Sequence, residues 1–263
     1  MKIATWNVNS LRVRLEHLLQ WLQDNPVDVL GLQETKLIDA KFPAAQINEA
    51  GYEVAFSGQP TYNGVALLTR RDTIGPASDV VIGNPLFEDE QQRLITGTCA
   101  GIRVTCAYVP NGQAVDSDKY DYKLRWLDSL TEWLSQGAGA AGLPRVLLGD
   151  FNIAPDDRDV HDANFWRDKI LCSKPERERY ARLLELGLID SFRLFDQEER
   201  SFSWWDYRQQ GFRRNAGLRI DLVLIEESLK QAALASEIDK IPRRLEKPSD
   251  HAPAICTLDW PVT

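Results

Sequence analysis

A basic excess is the first thing missing. The 263 residues carry 39 acids against 31 bases, a net charge of −8. That excludes a protein that clings to nucleic acid through bulk charge, although it leaves room for a local basic groove. Long apolar runs are missing as well: no stretch approaches the ~18 residues of a membrane span. Met1-Lys2-Ile3-Ala4-Thr5-Trp6-Asn7 turns polar too early for a signal h-region. A cytoplasmic protein without membrane association is expected. Cysteine is sparse, and Cys99, Cys106, Cys172 and Cys256 stand far apart with no C-x-x-C spacing. Neither a zinc site nor a disulfide framework is indicated, and the expectation is reduced, mostly buried thiols. No serine sits in a nucleophile elbow, and no Walker loop or dinucleotide fingerprint occurs.

What is present is an ample core and polar strand ends. Hydrophobic residues make up 43% of the chain, with eight tryptophans, enough for one large domain, expected over residues 1–263. The six small residues 137–142 read as a loop and not as a domain linker. Lys2 to Trp6 reads as a strand. Ser10 is a plausible cap for a helix whose Leu11, Leu15, Leu18, Leu19 and Leu22 share one face until Asn25-Pro26. Val27 to Leu32 is a second strand that runs into Gln33-Glu34. Tyr52 to Phe56 pairs with Val65 to Thr69, and Leu94 to Cys99 with Ile102 to Tyr108. A long amphipathic helix covers Asp118 to Leu134. After it come a strand at Val146 to Leu148, a helix from about Pro175 to Leu186, and strands at Phe202 to Asp206, Arg219 to Ile225 and Ala254 to Asp259. Trp6-Asn7-Val8 and Phe151-Asn152-Ile153 repeat one aromatic-Asn-aliphatic step, which suggests two sheets meeting at their strand ends around one cleft.

The candidates gathered from strand ends and turns are Asn7, Glu34, Tyr108, Asp150, Asn152, Asp221, Asp250 and His251. Carboxylates, amide oxygens and one imidazole form the ligand set of a Mg²⁺ or Mn²⁺ site that serves a phosphorylated substrate. Asp250 and His251 lie side by side between Pro248 and Pro253, in a segment too stiff for a core strand. Taken singly, Asn7 and Asn152 would serve as caps, Glu34 as a surface strand end and Tyr108 as a half-buried core residue. Asp221 differs, because an acid inside Leu218-Arg219-Ile220-Asp221-Leu222-Val223-Leu224 needs a hydrogen-bonded partner. His251 is the natural one.

Six stretches carry a specific resemblance. They are Leu32-Gln33-Glu34-Thr35-Lys36, Gly64-Val65-Ala66-Leu67-Leu68-Thr69, Gly149-Asp150-Phe151-Asn152-Ile153, Phe202-Ser203-Trp204-Trp205-Asp206-Tyr207-Arg208, Gly217-Leu218-Arg219-Ile220-Asp221 and Lys247-Pro248-Ser249-Asp250-His251-Ala252-Pro253. In this order, across essentially the whole chain, they closely resemble the bacterial exonuclease III family of the endonuclease/exonuclease/phosphatase superfamily. The resemblance implies an α/β fold, a four-layer α-β-β-α sandwich whose two mainly antiparallel sheets pack face to face with helices outside. It implies a Mg²⁺-dependent DNA-repair phosphodiesterase, with Mn²⁺ as a substitute, acting as a monomer on double-stranded DNA at abasic sites or blocked 3′ ends. Abasic-site incision, 3′-phosphatase and 3′-5′ exonuclease activity all leave a 3′-hydroxyl.

Carried over by motif, Glu34 with Asn7 and Asp250 would bind metal, and Asp150, Asn152 and His251 would touch a possible second ion. Asp150 would orient or deprotonate the attacking water, Asn152 would steady it, and Asp221 with His251 would contact the scissile phosphate. Tyr108 would bind the phosphate or assist the leaving oxygen. Trp204, Leu218 and Ile220 would form the pocket for a sugar lacking its base. Arg12, Lys36, Arg70, Arg213, Arg219 and Lys247 would grip the DNA backbone. The stretch Arg158 to Cys172 departs from the family, with less glycine and fewer bases, and its bulk would decide which groups fit. Two rival readings are a non-catalytic DNA-end binder and a phosphoinositide-type phosphatase of the same superfamily. The intact acids and His251 speak against the first, and the Trp204 and Leu218 pocket against the second.

Overall fold

The computed structural model describes residues 1–140 and 142–262. The loop expected at 137–142 and the domain expected at 1–263 each include a residue outside this range. The strands form two six-stranded sheets. In the first, β11 (Ala233–Ile238), β12 (Ala254–Leu258), β1 (Lys2–Asn7), β2 (Val29–Gln33), β4 (Val65–Arg70) and β3 (Tyr52–Ser57) lie side by side in that order. In the second the order is β5 (Ser78–Ile82), β6 (Leu94–Cys99), β7 (Ile102–Tyr108), β8 (Arg145–Asp150), β10 (Asp221–Glu226) and β9 (Leu188–Asp190). Each sheet holds one parallel pair, β1 with β2 and β7 with β8, and every other pairing is antiparallel. The first and last long strands meet, with Lys2 opposite Thr257.

Alternation along each strand decides which side chains face the partner sheet. Ile3, Val29, Val65, Leu67, Val104, Cys106, Val146, Leu148 and Val223 are buried together between the sheets. By the same period of two, Asn7, Gln33, Tyr108, Asp150 and Asp221 point inward at the strand ends. Gly31 leaves room for the facing sheet, since a Cβ there would lie 2.2 Å from Leu148 Cδ1. The outward faces are covered by helices. α1 (Leu11–Asp24) and α2 (Ala44–Glu49) pack Leu11, Leu18, Trp21, Leu22 and Ile47 on the first sheet. α3 (Asp118–Ser135) and α5 (Lys174–Glu185) pack Trp126, Leu127, Leu130, Tyr180 and Leu183 on the second. The short α4 (Ala163–Trp166) lies within the stretch Arg158 to Cys172 that departs from the family pattern.

Two expectations are corrected. Ser10 precedes α1 but makes no side-chain cap, its φ of 86° turning the hydroxyl away. Phe202 to Asp206 is no strand: Trp204 makes only isolated bridges, to Leu218 and His251, as a tight loop wraps around Ser203. The short strands β5, β9 and β11 carried no apolar run long enough to read. Among the described residues no helix is long and apolar enough to cross a membrane.

Candidate active site

The site forms where the ends of β1, β2, β7 and β8 and the start of β10 converge. Asp150 stands opposite both Tyr108 on β7 and Asp221 on β10, and Asn7 stands opposite Gln33. Asn7 joins the sheets: its Nδ2 donates to Glu34 Oε1 and to Asp150 Oδ2, each at 2.9 Å. Glu34 lies one residue past β2 at φ 54°, a kink that swings its carboxylate into the cleft. Tyr108 donates its hydroxyl to the same Oε1 at 2.9 Å, and Lys36 Nζ lies 2.7 Å from Oε2. Burial alone would raise the Glu34 pKa, but the Lys36 ammonium and the Asn7 amide outweigh it and hold the carboxyl below its usual range. Burial, with the charges of Glu34 and Asp150, pushes Tyr108 well above an ordinary phenol.

His251 is held between two acids. Its Nδ1 lies 2.9 Å from Asp221 Oδ2 and its Nε2 3.8 Å from Asp150 Oδ2. Burial opposes its charge, yet Asp221 and Asp150 together lift its pKa to about 10. Asp150 is pushed up to about 7 by burial, against the pull of the His251 charge. Asp221 has the partner its apolar strand demanded, and Ser203 Oγ donates to it at 2.7 Å. Asn152, at φ 47°, donates its backbone N–H to Asp150 Oδ1 at 2.9 Å. Its side-chain oxygen accepts from Asn111 and its amide donates to Val109 O.

One oxygen or nitrogen from each of Glu34, Asp150 and His251 lies within 4.8 Å of the others, the one such group of His, Cys and acids among the described residues. Two carboxylates with an imidazole suit a hard divalent cation that keeps water ligands, so the residues present fit a metal. Asp250, expected in the first set of ligands, stands apart from that group: its oxygens accept from Asn9 Nδ2 at 2.9 Å and Trp204 Nε1 at 3.0 Å. Burial works against its charge, but the nearby His251 and these two donors keep its pKa low.

Trp204, Leu218 and Ile220 come together with Ala154, Val160, Leu171 and Cys172 in one apolar cluster beside the acids. Leu218 and Ile220 are buried and Trp204 is half-buried. Of the six expected backbone contacts, Arg12, Arg213 and Lys247 are exposed and Lys36 is engaged with Glu34 and Asn9. Two are corrected. Arg219 is 1% exposed and spans Asp159 and Asp190, so its guanidinium faces inward. Arg70 closes the opposite end of β4 from Val65, about 17 Å along the strand at roughly 3.4 Å per residue, and pairs with Asp72. Sequence reasoning missed Asn9, Asn111, Ser203 and Ser249. Ser249 Oγ donates to the backbone oxygen of Asn7 at 2.6 Å. The Asn-Val-Asn and Pro-Asn-Gly steps held the signal for the two asparagines.

Residues 4–251 match the model of the endonuclease/exonuclease/phosphatase family. Exodeoxyribonuclease III of Haemophilus influenzae is 34% identical over 265 residues, covering 96% of this chain and 98% of that protein. A 3′-5′ exonuclease, NExo, from Neisseria meningitidis has a structure that superimposes with a TM-score of 0.94 at 46% identity, over 99% of this chain and 100% of that one. NExo from Neisseria is also described as a 3′ phosphatase, bound to a product DNA hairpin. An AP endonuclease from Archaeoglobus fulgidus matches with a TM-score of 0.92 at 38% identity, over 98% of this chain and 99% of that one.

Proposed function

Because the chain belongs to the endonuclease/exonuclease/phosphatase family and is a DNA-repair phosphodiesterase of exonuclease III type, we propose that it cleaves double-stranded DNA at abasic sites and blocked 3′ ends through the cluster of Glu34, Asp150 and His251. The observation that carries this reading is the approach of those three side chains, from both sheets, to within 4.8 Å of one another. In the proposed reaction a water molecule attacks phosphorus in line. Asp150 holds that water and takes its proton, a task suited to a carboxyl with a pKa near neutrality. His251, kept protonated by Asp221, donates from Nε2 to a phosphoryl oxygen and stabilises the charge that builds there. Tyr108 donates to the phosphate or to the departing oxygen once the DNA competes with Glu34 for its hydroxyl. Asn152 fixes Asp150 through its backbone N–H and steadies the phosphate. Magnesium, for which manganese can substitute, would be held by Glu34 with Asp150 at hand and would supply charge neutralisation at the phosphate, while the protonated His251 remains a donor. Asn7 orients Glu34 and Asp150 together, and Asp250 orients Trp204 and Asn9.

Trp204, Leu218 and Ile220 would receive a sugar stripped of its base, and Arg12, Lys36, Arg213 and Lys247 would hold backbone phosphates without reading sequence. The products are a 5′-phosphate and a 3′-hydroxyl, formed by a monomer. The test is incubation with three duplexes, carrying an internal abasic analogue, a 3′-phosphate or a recessed 3′ end, each with Mg²⁺ or with EDTA. Magnesium-dependent product from at least one duplex supports the reading; binding to all three without product from any removes it.

A further inference from the structure

Beneath the cleft lies a charged pair that the proposed chemistry does not use. Lys123 on α3 and Glu176 on α5 are both 0% exposed and joined by a salt bridge. A buried ion pair of this kind is weak evidence for stability, since well-packed apolar residues commonly do as well. Its remaining hydrogen bonds explain its presence better. Lys123 Nζ donates to the backbone oxygen of Asn152 at 2.7 Å and to that of Asn111 at 3.2 Å. Glu176 accepts from the backbone N–H of Leu171 at 3.0 Å and of Ser173 at 2.9 Å. One ammonium therefore binds the two loops whose side chains meet when Asn111 Nδ2 donates to Asn152 Oδ1. Its carboxylate partner binds the segment that lends Leu171 to the apolar cluster around Leu218 and Trp204. Asn152 and Leu171 hold positive φ of 47° and 74°. Asn tolerates that region, whereas Leu does so only at a cost that its surroundings must meet.

We infer that Lys123 and Glu176 are positioning residues: together they set the backbone of Asn111, Asn152 and Leu171, and so align the phosphate-facing loops with the wall of the sugar pocket. This rests on the role proposed for Asn152. A stray lysine on a helix face would need neither two loop carbonyls nor a fully desolvated ammonium.

The experiment compares the intact enzyme with Lys123→Met, Lys123→Arg, the neutral double variant Lys123→Met/Glu176→Gln, and Asn152→Ala, alone and combined with Lys123→Met. Lys123→Met leaves a buried carboxylate unpaired and lowers the melting temperature, whereas the double variant removes both charges and recovers much of it. The expected result is a kcat lowered roughly 10–100-fold in both, the scale of a small misplacement of catalytic groups, with KM for DNA within about threefold and partial rescue by Lys123→Arg. In the Asn152→Ala background Lys123→Met should cost little more, because residues acting as a unit are not additive. Recovery of kcat along with the melting temperature in the double variant overturns the inference, as does an undiminished loss in the Asn152→Ala background. A wild-type rate in Asn152→Ala alone instead removes the role on which it rests.

Discussion

His251 Nδ1 lies 2.9 Å from Asp221 Oδ2, and the far side of the ring faces Asp150 at 3.8 Å. Asp221 fixes the ring through Nδ1, and Nε2 turns toward Asp150. Replacing Asp221 with Asn should drop the His251 pKa from about 10 toward the ordinary histidine value near 6.5. A ¹⁵N NMR titration of the metal-free protein reads it directly, and an unmoved titration contradicts the assignment.

Asp150→Asn keeps shape and removes the base. Single-turnover cleavage should fall roughly 10²–10⁴-fold, while DNA affinity measured by fluorescence anisotropy changes less than about threefold. A near-normal rate takes the proton-accepting role away from Asp150.

Metal binding should release protons. Asp150, with a pKa of about 7, is partly protonated at neutral pH and binds a cation only when ionised. Apparent Mg²⁺ affinity should therefore rise with pH up to about 7. Both Asp150 and His251 have folded values above their ordinary 3.8 and 6.5. Their contribution to metal-free stability is fully present below those unfolded values and is lost as pH rises through about 7 and about 10. Thermal melts with EDTA and with Mg²⁺ should thus diverge as pH rises; calorimetry in buffers of different ionisation enthalpy counts the protons.

Trp204→Ala opens the apolar cluster next to Leu218. Abasic-site incision should suffer at least about tenfold more than removal of a 3′-phosphate, equivalent to about 1.4 kcal/mol. Equal losses on both substrates refute the sugar-pocket assignment.

The arginines divide by burial. Arg219→Met leaves Asp190 without its ion-pair partner and Asp159 with Arg193 alone, and should cost about 3–5 kcal/mol in urea unfolding. Lys247→Ala and Arg213→Ala should leave stability alone and each reduce the salt slope of DNA binding by about 1.

Those arginines mark how far the sequence can be read. Residue types at strand ends and turns single out Glu34, Asp150, Asp221 and His251 as candidates, and the structure brings these four side chains to one cleft. The partnership of Asp221 with His251 followed from the cost of burying an unpaired acid. A lysine or arginine carries no such signature. Arg219 is followed by an apolar strand exactly as a groove residue would be, and only the fold reveals Asp159 and Asp190 on either side of it. Arg70 failed because a motif gives order along a strand and not which end faces the cleft. The motif assigns Asp250 to metal, yet Asn9 and Trp204 claim its oxygens. Lys123, in the middle of an amphipathic helix, carries no sequence signal that separates it from a solvated charge.

The pairing of Lys2 with Thr257 places the opening strand of the chain beside its last one. During synthesis Asn7 and Glu34 leave the ribosome some two hundred residues ahead of His251, and the first sheet lacks a neighbour for β1 on that side until β12 arrives. Contacts so distant along the chain form slowly. A product ended before His251 and β12 therefore leaves β1 unpaired on that side and Asp221 without His251.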